Sequence, residues 1–174
     1  MSRKPRVYLA GPDVFFHRAG AIGEHLKEFA SDRGLEGLYP LDAELEFIDV
    51  ESRVQTHVES KRENARRIRE ANMAMIRSVD AVCANVLPFR GPSADVGTAW
   101  EMGYATALGK PVASYSYNVK DYADRVLPDN FLVEDFSLHD NLMLAGARHF
   151  TSVEQALDWI SEMFEARVRD GVWP

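Results

Sequence analysis

The sequence predicts an α/β fold in which helices flank a parallel sheet of about five strands. Short apolar runs alternate with longer stretches of helical periodicity, which is the pattern of strands joined by crossover helices. The chain has 174 residues, of which 46% are hydrophobic and 27% charged. That is enough to bury a core, and we expect a single domain over 1–174.

The first part of the chain predicts two strands with a helix between them. Residues 7–10 form an apolar run that a Gly-Pro pair ends. A helix is expected over about 19–31, because its apolar residues fall on one face and Gly34 can stop it. Residues 35–39 then form the second strand. Residues 41 to about 56 show no clear period, so we expect a long loop over one end of the sheet, where loops are often functional.

The middle of the chain predicts a long helix over 57–78, whose late apolar face is formed by Ile68, Met75 and Ile76, and then a strand over 81–86. Pro88, Gly91 and Pro92 force a loop after that strand.

The rest of the chain predicts a helix over 95–108 and strands over 111–115 and 148–150. Ser152 can cap a final helix to about 168. No element is assigned between residue 119 and the last strand. About five parallel strands of this length favour a flavodoxin-like, three-layer fold, with ligands bound beyond the carboxyl ends of the strands.

Composition excludes several classes of function. The net charge of −7 and the pI near 5.2 argue against a protein that binds duplex nucleic acid. No apolar stretch is long enough for a membrane helix, and the first residues lead directly into a strand, so we expect a cytoplasmic protein. The basic run 61–70 has helical charge spacing and indicates a solvated helix face.

Cofactor and metal signals are also missing from the sequence. Cys83 is the single cysteine and lies in an apolar run, which suits a buried residue. The five histidines show no metal-binding spacing, and neither a Gly-Lys-Ser/Thr phosphate loop nor a three-glycine dinucleotide motif occurs. We therefore expect no metal and no cofactor.

Glu101 is the strongest candidate for chemistry. It is the only ionisable carboxylate in the helix that begins near residue 96, and its neighbours are small or apolar. Such a helix is expected to be mostly buried, which would raise the pKa of Glu101 and leave it nucleophilic once a partner orients it. Gly97, one turn earlier, leaves space for a ligand. The alternative is an exposed glutamate on an outer stripe with Thr98 and Ala105.

Three further residues each have a structural and a functional interpretation. Asp95 can simply cap the helix, or it can contact a ligand at the end of the central strand. Tyr8 can be a core tyrosine, or it can face the crevice beside the tight turn at Gly11. Asp80 starts a buried strand, where an aspartate is costly unless it is paired or exposed.

Five segments carry a resemblance when taken together and in order: Val7–Pro12, Asp80–Val82, Pro88–Gly91, Asp95–Ala105 and Asn141–Leu144. They resemble the nucleoside 2-deoxyribosyltransferase family from residue 7 to about residue 160. The most specific segment is Asp-x-Gly-Thr-Ala-x-Glu-x-Gly, which starts at Asp95.

The resemblance implies that Glu101 is the nucleophile, that Tyr8 orients it, and that Asp95 binds a sugar hydroxyl and helps to move protons at the base. Asp80 would lie near the base. The substrates would be deoxynucleosides and free nucleobases, exchanged through a covalent sugar ester by the two-group chemistry of retaining glycosidases.

The resemblance also implies substrate contacts beyond the nucleophile. Gly11 and Gly97 would bind substrate, Glu44 would lie near the nucleobase, and Asp13 together with the 41–56 loop would shape the base pocket. A neighbouring subunit would lend Asn141, with Met143 in the same segment. The active unit would then be at least a dimer.

Two other functions stay open at this point. Some similar proteins hydrolyse nucleoside 5'-monophosphates and carry serines and an arginine near the first glycine loop; Arg18 is the nearby candidate here. A non-catalytic nucleotide sensor on the same fold is the other possibility. A sensor would not need a carboxylate in an apolar helix beside a ligand crevice.

Overall fold

The computed structural model describes residues 3–43 and 58–172. All strand pairs in its five-stranded sheet are parallel, and the strand order is β2-β1-β3-β4-β5. The strands are β1 (Arg6–Ala10), β2 (Glu36–Leu38), β3 (Ala81–Asn85), β4 (Val112–Tyr115) and β5 (Arg148–Phe150). This order is flavodoxin-like and confirms the predicted fold.

The helices agree with the sequence pattern to within about two residues at each end. They are α1 (Ala19–Ser31), α2 (Val58–Ser78), α3 (Val96–Ala107), α4 (Tyr122–Arg125) and α5 (Val153–Arg169). The single-turn helix α4 lies in the part of the chain that the sequence left unassigned. Ser152 caps α5 as predicted, because its side chain accepts a hydrogen bond from Gln155 N. Most of the expected 41–56 loop, including Glu44, lies outside the described residues.

The sheet separates two hydrophobic clusters. Successive side chains of a strand point to opposite faces, so Val7 and Leu9 of β1 pack with α1 and α5, whereas Tyr8 and Ala10 pack with α2 and α3. The central strand β3 is buried along its whole length. Tyr8 is thereby directed toward the helix that carries Glu101.

Helix α3 is less buried than its composition indicated, so that expectation is wrong. Met102 and Ala105 are buried against the sheet, but Val96 is 84% exposed and Trp100 is 45% exposed. Trp100 stacks on Tyr104, and the Arg69 guanidinium lies 5.3 Å from its ring centre. A helix without a polar face gives no period from which its outer side can be recognised.

Among residues 3–43 and 58–172, no helix is both long enough and apolar enough to cross a membrane.

Candidate active site

Glu101 and Tyr8 meet between α3 and the sheet. The Tyr8 hydroxyl donates a hydrogen bond of 2.8 Å to Oε1 of Glu101, and Tyr8 is completely buried. Burial and the neighbouring Glu101 carboxylate raise the pKa of Tyr8 well above its ordinary value, so the phenol keeps its proton. Tyr8 is a core tyrosine, and its hydroxyl also holds the Glu101 carboxylate, although Tyr8 is not among the described residues that line the cavity.

Asn72 is a second donor to Glu101, and the sequence analysis missed it. Its Nδ2 lies 3.2 Å from Oε1 of Glu101. Asn72 stands four residues from both Ile68 and Ile76 on α2, so it interrupts the apolar stripe of that helix. A polar residue on an apolar stripe was the available signal.

Burial raises the pKa of Glu101 to about 7. The hydrogen bonds from Tyr8 and Asn72 favour the carboxylate, whereas the charge of Asp95 opposes it. The alternative of an exposed stripe is wrong, because Thr98 and Ala105 are both buried. Near neutral pH, Glu101 therefore supplies a poorly hydrated carboxylate that two donors orient.

A cavity of about 200 Å³ lies against Glu101. It is lined by Gly11, Val14, Phe15, Pro40, Leu41, Ile68, Asn72, Asp95, Gly97, Thr98 and Glu101. Its position beyond β1 and β3 is the point where the strand order reverses, which is where open α/β sheets bind ligands. The walls are largely apolar and the polar groups few, as in small-molecule sites.

Asp95 has its predicted capping role, and its position also suits the predicted ligand contact. It caps α3, since its Oδ2 accepts from Thr98 N at 3.0 Å and from Thr98 Oγ1 at 3.3 Å. It also lines the same cavity as Glu101. Gly97 lies beside it, and a Cβ there would stand 2.9 Å from Oδ2 of Asp95. The cap therefore fixes a carboxylate at the cavity wall.

Gly11 and Asp13 lie together, but only Gly11 borders the Glu101 cavity. A Cβ at Gly11 would lie 2.5 Å from Oδ2 of Asp13 and 2.8 Å from Cβ of Asn85, so the turn needs glycine. Asp13 is buried and accepts from Asn85 Nδ2 at 3.0 Å. Burial raises the pKa of Asp13. Its carboxyl lines a cavity of about 450 Å³ on the α1 face of the sheet, together with Arg18.

Asp80 is far from this arrangement, and the expectation that it lies near the base is wrong. It precedes β3 at the amino edge of the sheet, whereas the cavity lies at the carboxyl edge. Its carboxylate pairs with the Arg3 guanidinium at 2.7 Å and accepts from Arg6 N at 2.8 Å. Although burial opposes ionisation, these bonds lower the pKa of Asp80. Asp80 is thus paired, which is one of the two conditions under which the sequence analysis allowed an aspartate at the start of a buried strand.

Asn141 and Met143 lie at the surface. The Asn141 side chain accepts from Met143 N at 3.0 Å and donates to Oε2 of Glu134 at 3.0 Å. Met143 is 80% exposed. The described residues that line the Glu101 cavity of the same chain include neither of them. Their predicted role at a neighbour's site stays a prediction.

Within residues 3–43 and 58–172, no group of three or more His, Cys, Asp or Glu side chains is placed to hold a metal ion.

Replacing Glu101 by glutamine is expected to stabilise the fold in a pH-dependent way. The folded-state pKa of about 7 exceeds the ordinary value of 4.5, so the protonated form favours folding, and ionisation through pH 7 costs stability. This difference in pKa corresponds to about 3 kcal/mol in the free energy of unfolding above pH 7. Urea unfolding should show that the variant exceeds the wild type in free energy of unfolding by an amount that grows between pH 4.5 and 7 and is then constant. A stability difference that does not change with pH would contradict the raised pKa.

Comparison with known proteins identifies one matching family. A family model described as nucleoside 2-deoxyribosyltransferase matches residues 7–143. The solved structure of a 2-desoxiribosyltransferase from Leishmania mexicana is 31% identical, with a TM-score of 0.71 over 91% of this chain and 97% of that one.

Two other similarities are more limited. A conserved protein from Enterococcus faecalis V583 is 22% identical, with a TM-score of 0.58 over 91% of this chain and 98% of that one, and shares the fold. An uncharacterised protein of Schizosaccharomyces pombe is 32% identical over 123 residues, which are 70% of this chain and 54% of that protein. The chain therefore spans about half the length of this curated relative.

Proposed function

The chain belongs to the nucleoside 2-deoxyribosyltransferase family, and from that premise we propose that it transfers a 2-deoxyribosyl group between nucleobases through a covalent ester on Glu101. The observation that carries the proposal is the Glu101 carboxylate, oriented by Tyr8 at 2.8 Å in the wall of a cavity at the switch point of the sheet. Its pKa of about 7 keeps a nucleophilic fraction near neutral pH.

In the first half of the reaction, a carboxylate oxygen of Glu101 attacks C1' of the sugar as the bond from C1' to the base nitrogen breaks. The base leaves with the electron pair of that bond and takes up a proton, which Asp95 helps to deliver from the same cavity wall. Positive charge develops on the sugar in the transition state, and the nearby carboxylates stabilise it.

In the second half, a nitrogen of the acceptor base attacks C1' and loses its proton, which Asp95 helps to remove, while the ester bond to Glu101 breaks. The Tyr8 hydroxyl and the Asn72 amide donate to the carboxylate that is released, so they favour its departure. Water competes with the acceptor base, and the apolar wall formed by Val14, Phe15 and Leu41 helps to exclude it.

The proposal includes an active unit of at least two subunits. Asn141 would reach the sugar bound in the neighbouring chain, as the resemblance implies. The segment that contains Asn141 suits such a contact, because its apolar side chains Phe131, Leu132 and Met143 are at least 80% exposed. Mixing Glu101→Ala chains with Asn141→Ala chains tests this part of the proposal.

Hydrolysis of a nucleoside 5'-monophosphate is the second candidate. Arg18 gives it no support, since it lines the cavity on the other face of the sheet. Arg90 does, because its guanidinium lies 5.3 Å from the ring centre of Phe15, which borders the Glu101 cavity. An arginine there could receive a phosphate.

Incubation with a deoxynucleoside and a different free base, followed by chromatography, is expected to yield the exchanged deoxynucleoside. A panel of purines and pyrimidines would define the base preference in the same assay. Release of free sugar, or of sugar phosphate from a monophosphate, without exchange would instead establish a hydrolase. No turnover of any substrate would contradict both enzymatic proposals.

A further inference from the structure

Asp140 is a buried carboxylate near the candidate active site. It does not line the cavity, so contact with a ligand there does not explain its burial. It is 1% exposed and lies between two loops. Its Oδ1 accepts from the Ser93 hydroxyl and from Asn141 N at 2.7 Å, and its Oδ2 accepts from Ala94 N at 2.9 Å. Burying a carboxylate is costly, so a fully bonded one that joins two loops indicates a specific task.

Arg125 strengthens the same junction. Its side chain is 8% exposed and lies 3.6 Å from Asp140. The guanidinium donates to the carbonyl oxygens of Pro92 at 2.7 Å, Lys120 at 2.7 Å and His139 at 2.6 Å. These bonds tie the loop that enters α3 to the segment that leads to Asn141.

The junction ends at two residues of the proposed mechanism. Ala94 immediately precedes Asp95, whose carboxylate caps α3 and borders the cavity. Asn141 immediately follows Asp140 and donates its own backbone N–H to it. The Asp140 carboxylate therefore holds the backbone next to Asp95, which borders this chain's cavity. It also holds the backbone of Asn141, which is proposed to serve the neighbour's site.

We propose that Asp140 is a positioning residue that fixes Asp95 and Asn141 in a single rigid unit; this inference rests on the proposed function. Movement of either loop would displace a group that contacts the sugar. A misplacement of about 1 Å can lower the rate on the order of 100-fold even when the mutated residue does not touch the substrate. Asp140 thus links two sugar sites of an oligomer through one side chain.

The test begins with Asp140→Asn, which keeps the size of the side chain but puts an NH₂ group in place of one of the two oxygens that together accept three hydrogen bonds. We expect kcat/KM for base exchange to fall on the order of 10–100-fold at a temperature where the variant is folded. Asp135→Asn is the matched control, because Asp135 is an exposed aspartate of the same segment. Exchange by Asp140→Asn within twofold of wild type would overturn the proposal.

Double-mutant cycles separate positioning from a general loss of stability. Asp140→Asn is combined with Asp95→Asn in one cycle and with Asn141→Ala in the other. Because Asp140 acts through both residues, Asp140→Asn should lower kcat/KM less in either background than it does in the wild type. Losses that multiply fully in both cycles would overturn the proposal.

Hydrogen exchange gives a readout that does not need activity. In Asp140→Asn, the amides of peptides covering 88–96 and 139–144 should exchange faster, whereas those of α5 should not change. If wild type turns over no substrate, the proposed function fails while this readout still tests the junction; unchanged exchange rates would overturn the inference. Should Asp140→Asn not fold, Ser93→Ala removes one of the donors and should show smaller effects in the same directions.

Discussion

Glu101→Ala is expected to abolish base exchange, with a loss on the order of 10⁴-fold or more. The substitution removes the carboxylate that Tyr8 at 2.8 Å and Asn72 at 3.2 Å orient in the cavity as the proposed nucleophile. Neither donor can form the sugar ester in its place. The exchange assay measures the loss, and activity near that of wild type would disprove the mechanism.

The variant should nevertheless fold. Truncation leaves the Tyr8 hydroxyl and the Asn72 amide facing an existing cavity, where water can replace the carboxylate. Loss of their partner costs about 1–3 kcal/mol, but the desolvation that raises the pKa of Glu101 to about 7 is also relieved. Circular dichroism and thermal unfolding check the fold, and Glu162→Gln, an exposed change on α5, is the control.

The ester itself can be trapped on the wild-type protein. A deoxynucleoside with an electron-withdrawing 2'-fluorine should slow ester breakdown, because the sugar carries positive charge in the transition state. Mass spectrometry should then find the adduct on the peptide that contains Glu101. An adduct on Asp95 would instead make Asp95 the nucleophile. The control is Glu101→Ala, which should form no adduct.

The fold could be predicted because its determinants are local. Apolar runs such as 81–86, helical periodicity and Gly or Pro stops mark most strands and helices, and the crossover pattern fixes the parallel sheet. The single-turn helix α4 could not be found, since four residues do not establish a helical period. The exposed side of α3 was missed because nothing polar distinguishes it.

The candidate site was predictable where one helix carries it. Asp95, Gly97 and Glu101 lie within two turns of α3, so their spacing places them on one cavity wall. Asn72 and Asp80 show the limit of this approach. Asp80 directly precedes β3, so its position in the sequence already placed it at the amino edge of the sheet, where it pairs with Arg3; only the resemblance put it near the base. Asn72 reaches Glu101 through the packing of α2 beside α3, which the sequence pattern does not define.

Asn141 presents the opposite situation, because its proposed partner is not in the same chain. It lies at the surface, bonded to Met143 N and to Glu134, and the described lining of its own cavity does not include it. If it serves the neighbouring site, Asn141→Ala alone should be strongly impaired, since a buried sugar hydroxyl loses a partner at about 1–3 kcal/mol. Glu134→Gln, which keeps an acceptor for the Asn141 amide, is the matched control.

Mixing inactive Glu101→Ala chains with Asn141→Ala chains is then expected to restore exchange. In a mixed pair, one site carries both lesions and the other carries neither, because each site takes its glutamate from one chain and its asparagine from the other. Random pairing should therefore recover about a quarter of the wild-type sites. Subunit exchange is verified by mass spectrometry of differently tagged chains. If mixed pairs form but stay inactive, the sugar site is built within one chain, and Asn141 has no role in it.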